Sequence, residues 1–193
     1  MKIYKNKKLF QVLVVCFILS VSFLLLLYFL TTKGIYIQIG TPPNGIHHYF
    51  LNCLLIFFTF LSGIYLIHYK FNDKGLTIIA IGISSFISVF VLLYGLMTLE
   101  AKYTKFSSPN KQENFVVIET GHGEVYQLLN TGLFMTHLTD IRTDDGFKPF
   151  SDGAYQLEWK KTNELLVKYV FDYMSPENYH EVTVTYKSTQ IDE

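Results

Sequence analysis

Four aspartates, Asp140, Asp144, Asp145 and Asp152, gather in the stretch "DIRTDDGFKPFSDG". Several carboxylates beside backbone carbonyls suit calcium, and Gly146 offers a sharp turn for such a loop. The spacing departs from an EF-hand, because no glutamate closes the loop after Asp140 or Asp144. Asp-Gly pairs are also what tight turns use, since glycine tolerates positive φ and aspartate bonds its own backbone. The stretch is therefore read first as turns, second as a cation loop and third as a partner-contact loop. Phe147 and Phe150 separate these readings. Exposed, they mark a contact surface; buried, they pin the loop to the core.

Other side chains capable of chemistry stand alone. His122 lies between two glycines with Glu119 and Glu124 near, but a general base needs a positioned partner. It reads as a turn residue. His47 and His48 open an apolar run, and neighbours on a helix point about 100° apart, so they read as interfacial polar residues. The serines have no GxSxG or Ser-x-x-Lys context, and no glycine-rich phosphate loop is present. Cys16 and Cys53 lie in apolar runs outside any CxxC pair, which excludes a disulfide framework and a zinc ribbon. No cofactor is implied, and no motif stands behind an enzymatic role.

The elements that position these residues divide the chain in two. Residues 1–98 hold seven lysines against one aspartate, and the remainder holds nine basic against fifteen acidic residues, giving +6 and −6 within a neutral chain. A −6 segment repels phosphate, so nucleic acid is excluded as its partner. The first part, 1–99, contains three uncharged apolar runs at about 9–30, 49–67 and 75–99. Each is long enough to cross roughly 30 Å of hydrocarbon. Four lysines precede the first run and two lie between the second and third, against one in the intervening loop. The positive-inside bias predicts a cytoplasmic N-terminus, with residues 32–48 and 100–193 outside. The first run is too long for a secretory signal and is read as an uncleaved helix. The runs contain no Asp, Glu, Lys or Arg, which argues against a pump or voltage sensor. Ala80, Ser84 and Ser88 recur at every fourth residue and predict a helix-packing face.

Beyond a polar juxtamembrane linker at 100–113, the pattern switches to period two. Strands are expected at 114–120, 124–130, 132–138, 154–159, 164–171 and 180–187. Tyr155, Leu157 and Trp159 alternate with Gln156, Glu158 and Lys160, and Val182, Val184 and Tyr186 with Glu181, Thr183 and Lys187. One wet and one buried face is the antiparallel signature. The fold class is a membrane protein with three transmembrane helices and a C-terminal all-β domain, 114–193, built as an antiparallel sandwich or open barrel.

"SSPNKQENFVV" and "YQLEWKKTNELLVKY", a Ser-Pro-Asn opening a strand and a later strand-Trp-turn-strand, resemble small membrane-anchored extracytoplasmic proteins of Firmicutes. That resemblance implies an exported β-domain and carries no active site. The expected role is non-enzymatic: helices in the lipid bilayer of a bacterial plasma membrane hold a β-domain that binds a membrane or envelope protein partner, as an accessory or sensor. An immunity-type protective protein is the second reading. A cation-dependent envelope enzyme using the loop from Asp140 to Asp152 is the third. A homo-oligomer is compatible with the small-residue face.

Overall fold

A computed structural model describes residues 7–97, 100–144 and 146–188. The chain forms two compact units, one of residues 1–32 and 48–96, the other of residues 33–47 and 97–193.

The first unit holds three helices, α1 (Lys7–Thr32), α2 (His48–Phe71) and α3 (Lys74–Met97), each long and apolar enough to cross a membrane. They match the three apolar runs to within a few residues. A two-residue turn joins α2 to α3. Asn72 takes a left-handed conformation at φ 51° and donates its N–H to the His68 carbonyl at 2.9 Å, a C-terminal cap that asparagine tolerates well. Asp73, the single acidic residue before position 99, caps α3: its Oδ1 accepts from Gly75 N at 2.7 Å and Leu76 N at 3.3 Å. Such a cap satisfies amides that the helix cannot reach itself. Helix backbones approach most closely between α1 and α2. There Ser20 and Ser62 are buried, bonding back to Cys16 O and Phe58 O of their own helices. A Cβ on Gly63 would come within 3.3 Å of the Phe17 ring, and Phe10 stacks on Tyr69 at 4.5 Å. Small residues permit this approach. Ala80, Ser84 and Ser88 lie with Thr77, Val91 and Gly95 on the half-buried stripe of α3, whose other sides are exposed.

The second unit is all antiparallel β. Strands β1 (Ile35–Ile39), β2 (Ile46–His47), β3 (Lys102–Ser107), β4 (Asn114–Glu119), β5 (Gly123–Leu128) and β6 (Phe134–Ile141) form one sheet in the order β2-β1-β6-β5-β4-β3. Strands β7 (Tyr155–Lys161), β8 (Glu164–Val170) and β9 (Tyr179–Thr185) form a second. The six strands expected after residue 113 are all present. Two differences enlarge the unit. Residues 102–107, expected as linker, form the edge strand β3 paired along β4. Residues 33–47, expected as a plain loop between two apolar runs, supply β1 and β2, with Ile35, Tyr36 and Ile37 opposite Thr136, Met135 and Phe134.

The two sheets share one core. Phe115, Val117, Val125 and Ile141 from the larger sheet meet Leu165, Val167, Tyr169 and Val184 from the smaller. Burying each large apolar side chain contributes about 1.5–3 kcal/mol. The alternation along β7 holds: Tyr155, Leu157 and Trp159 pack on this core while Gln156, Glu158 and Lys160 are exposed. Phe115 is the hub, with ring centroids 5.6 Å from Trp159, 5.0 Å from Tyr186 and 5.3 Å from Phe106. A second cluster, Val116, Ile118, Tyr126 and Met135, lies on the opposite face of the larger sheet. Tyr36 of β1 and Tyr103 of β3 both pack on it. Those strands stand at four strand spacings from each other, roughly 19 Å in a flat sheet. The cluster itself is drawn from β4, β5 and β6, the strands that lie between them. A register shift between β5 and β6 at Val125/Tyr126 supplies a bend, since an extra residue kinks a strand and raises its twist.

Candidate functional site

The aspartate loop is held to the sheet by a carboxylate that sequence reading passed over. Glu119, buried at the end of β4, accepts from Phe150 N at 2.9 Å with Oε1. Its Oε2 accepts from Ser151 N at 2.9 Å and Ser151 Oγ at 2.6 Å. Phe150 is buried in the shared core and stacks on Tyr155 at 4.6 Å. Its burial is the arrangement in which it pins the loop to the core. Phe147 is half-buried, its ring 6.0 Å from Tyr173.

Of the aspartates, Asp140 bonds through its carboxylate, and Asp144 and Asp152 make local bonds through their backbone. Asp140 is the residue before the end of β6, and its Oδ1 lies 2.9 Å from His137 Nε2. The backbone N–H of Asp144 donates to Phe171 O at 3.0 Å, and its carbonyl accepts from Phe147 N at 2.9 Å. Asp152 donates its N–H to Lys148 O at 3.1 Å in the next turn. Asp145 lies outside the described residues. Among the described residues, no three His, Cys, Asp or Glu side chains come together as a metal-holding group. His122 does find a partner, Glu124 Oε1 at 3.3 Å, while Glu124 Oε2 takes a 2.6 Å bond from the Tyr126 hydroxyl. His47 ends β2 and His48 begins α2, so the adjacent rings belong to different elements. Burial pushes His47 down from its usual 6.5 to about 4, while the Glu124 carboxylate pulls it the other way.

The concave feature of the β unit lies at the opposite end of the larger sheet. A cleft of about 410 Å³ opens where β1, β3, β4, β5 and β6 reach their turns. One wall is Gln38, Gly40 and Thr41 of the β1–β2 hairpin; the other is Lys105, Phe106 and Ser107 of β3. Asn114, Phe115, Leu128 and Phe134 form its base, with Leu129 and Asn130 at the rim. β1 and β3 stand four strand spacings apart, roughly 19 Å in a flat sheet, so their lining one cleft of this size requires the sheet to curl. Its size falls in the range of small-ligand and peptide pockets. Lys105 is the single ionisable side chain among the lining residues. The rest are apolar rings, amides and hydroxyls, a set suited to holding a ligand rather than to moving protons.

Gln38 is the unusual member. It is 2% exposed, and its Oε1 has no hydrogen-bond partner among the described residues. Its Nε2 donates weakly, at 3.3 Å, to Gly40 O. The side chain occupies space that a side chain at position 45 would need: a Cβ on Gly45 would collide with Gln38 Nε2 and the Ile39 carbonyl. Neither wall was foreseen from the sequence, because both β1 and β3 were read as connections.

The outward face of the smaller sheet is an ordinary solvated surface, with Lys168 paired to Glu181 at 2.9 Å and Lys161 to Glu164 at 3.0 Å. No family model, curated protein or solved structure matches the chain.

Proposed function

We propose that the protein is a membrane-held binding module of the bacterial envelope. In this reading the three helices cross the plasma membrane with the N-terminus in the cytoplasm. The two-sheet unit stands outside and offers its cleft to a protein or envelope partner. The cleft between the two ends of the curled sheet is the observation that carries the reading.

Chain connectivity supports the topology. Residues 33–47 pair with β6, so the segments flanking the α2–α3 pair belong to one folded unit. If the helices span, α2 and α3 go across and return, and both parts of the unit lie on one side. The lysines before α1 and around the α2–α3 turn then sit on the other side, as the positive-inside bias requires. The resemblance to extracytoplasmic Firmicute proteins agrees with an outer placement.

A photo-crosslinking amino acid tests the role. Placed at Asn130 on the cleft rim in intact cells, it is expected to give one discrete adduct. Placed at Gln156 on the smaller sheet, it is expected to give none. Equal adducts at both positions, or none at either, would contradict the reading.

A further inference from the structure

We propose that the gap between β3 and the β1–β2 hairpin accepts an extended peptide segment, bearing an acidic residue among apolar ones, which adds as a strand along β3. This deepens the binding reading above and rests on it.

The first support is the backbone. β3 ends the larger sheet, and among the described residues its six positions pair with β4 alone. A strand paired on one side presents a row of N–H and C=O groups to any extended chain that can reach them. The cleft touches Lys105, Phe106 and Ser107 in succession. Successive side chains on a strand point to opposite faces, so a surface touching all three wraps the last half of the edge strand, where an added strand would enter.

The second support is the far wall. Gln38 contributes a buried acceptor without a donor, at a place where an incoming chain would bring amide N–H groups. Buried polar atoms are almost always paired, so an unpaired one at a binding cleft marks where a ligand donor belongs. Phe134 and Leu128 supply an apolar floor for alternate side chains.

The third support is charge. Lys105 is the one ionisable group in the lining, and it attracts a carboxylate and repels a second cation. Six residues of β3 span roughly 20 Å, the reach of a peptide of six or seven residues. An exposed lysine on an edge strand is also a device that keeps foreign strands away, and that alternative predicts no binding at all.

The test is a calorimetric titration of the purified full chain in detergent micelles. The probe is an acetylated, amidated heptapeptide alternating valine and serine around a central aspartate. One comparator carries a central lysine; another keeps the aspartate but is N-methylated on alternate amides. Saturable one-to-one binding of the aspartate peptide is expected, weakened about tenfold or more in each comparator, a step of about 1.4 kcal/mol. Lys105→Glu is expected to reverse the preference between aspartate and lysine peptides. No saturable binding by the aspartate peptide, equal binding after N-methylation, or an unchanged preference in Lys105→Glu would each overturn strand addition. The N-methylated comparator needs no variant, so a misfolded Lys105→Glu chain does not shield the proposal. Adducts at Asn130 in cells without peptide binding would sink strand addition alone. Peptide binding without cellular adducts would support the site and count against the module's cellular role.

Discussion

Glu119 shows how much one buried side chain organises. Its carboxylate takes three hydrogen bonds from the backbone and hydroxyl of residues 150 and 151, 31 and 32 positions away in the chain. Removing it leaves the buried Phe150 amide and the part-buried Ser151 amide without this acceptor, and a buried donor left unpaired costs about 1–3 kcal/mol. Glu119→Ala is therefore expected to lower stability by roughly 2–4 kcal/mol, whereas Ser151→Ala, which removes one hydroxyl bond, costs about 1 kcal/mol. Trp159 is the single tryptophan and lies against Phe115 in the shared core, so its fluorescence during unfolding in detergent reads both variants. A Glu119→Ala chain as stable as the parent would remove the latch from the account. His47 makes a second prediction. The fold favours its neutral ring, with a pKa of about 4 against 6.5 for the ordinary group. Between those values the unfolded chain binds the proton and the folded chain does not, so stability rises with pH across this window. The contribution is complete above about pH 6.5 and lost as pH falls toward 4. His47→Gln is expected to flatten that part of the stability–pH curve, and an unaltered slope would refute it.

At the scale of elements, the hairpin formed by residues 33–47 is the defining feature. It gives β6 its second neighbour and one wall of the cleft. In a chain with Cys16 and Cys53 replaced by alanine, the pair Ile35→Cys and Thr136→Cys is expected to crosslink under mild oxidation, because the two residues are directly opposed. Ile35→Cys with Lys160→Cys should not crosslink; the reverse pattern would contradict the pairing. A fragment of residues 100–193 lacks this hairpin and is expected to give no cooperative unfolding transition, since Met135 and Tyr126 lose the cover of Tyr36. The strands after residue 113 were legible because their alternation is strong: Tyr155, Leu157 and Trp159 point one way and their neighbours the other. β3, "KYTKFS", hides its strand character behind two lysines, as edge strands do. β1, "IYIQI", does alternate, but five residues between two long apolar runs carry little weight, and the β6 that completes it lies about 100 residues later. Ala80, Ser84 and Ser88, expected as a packing face, lie on the half-buried stripe of α3. The closer α1–α2 approach at Ser20, Ser62 and Gly63 was not legible, because its small residues are split between two helices. The cleft was invisible for the same reason. Its walls come from strands that are neither adjacent in sequence nor in the sheet, and Gln38 is an ordinary residue until Gly45 and the hairpin enclose it.

For the whole molecule, the charge is separated between the two halves, three helices are long and apolar enough to cross a membrane, and one folded unit is drawn from two parts of the chain. The central claim is that this unit stands outside the cell with its cleft turned to solvent. It is tested most directly by labelling single cysteines in intact bacteria with a membrane-impermeant maleimide, again with Cys16 and Cys53 replaced by alanine. Asn130→Cys, exposed at the cleft rim, reports on the β unit, and Phe71→Cys, exposed at the end of α2, reports on the α2–α3 turn. The account predicts labelling of Asn130→Cys in whole cells and of Phe71→Cys only after the membrane is opened. Labelling of Phe71→Cys in whole cells, or protection of Asn130→Cys, would contradict it.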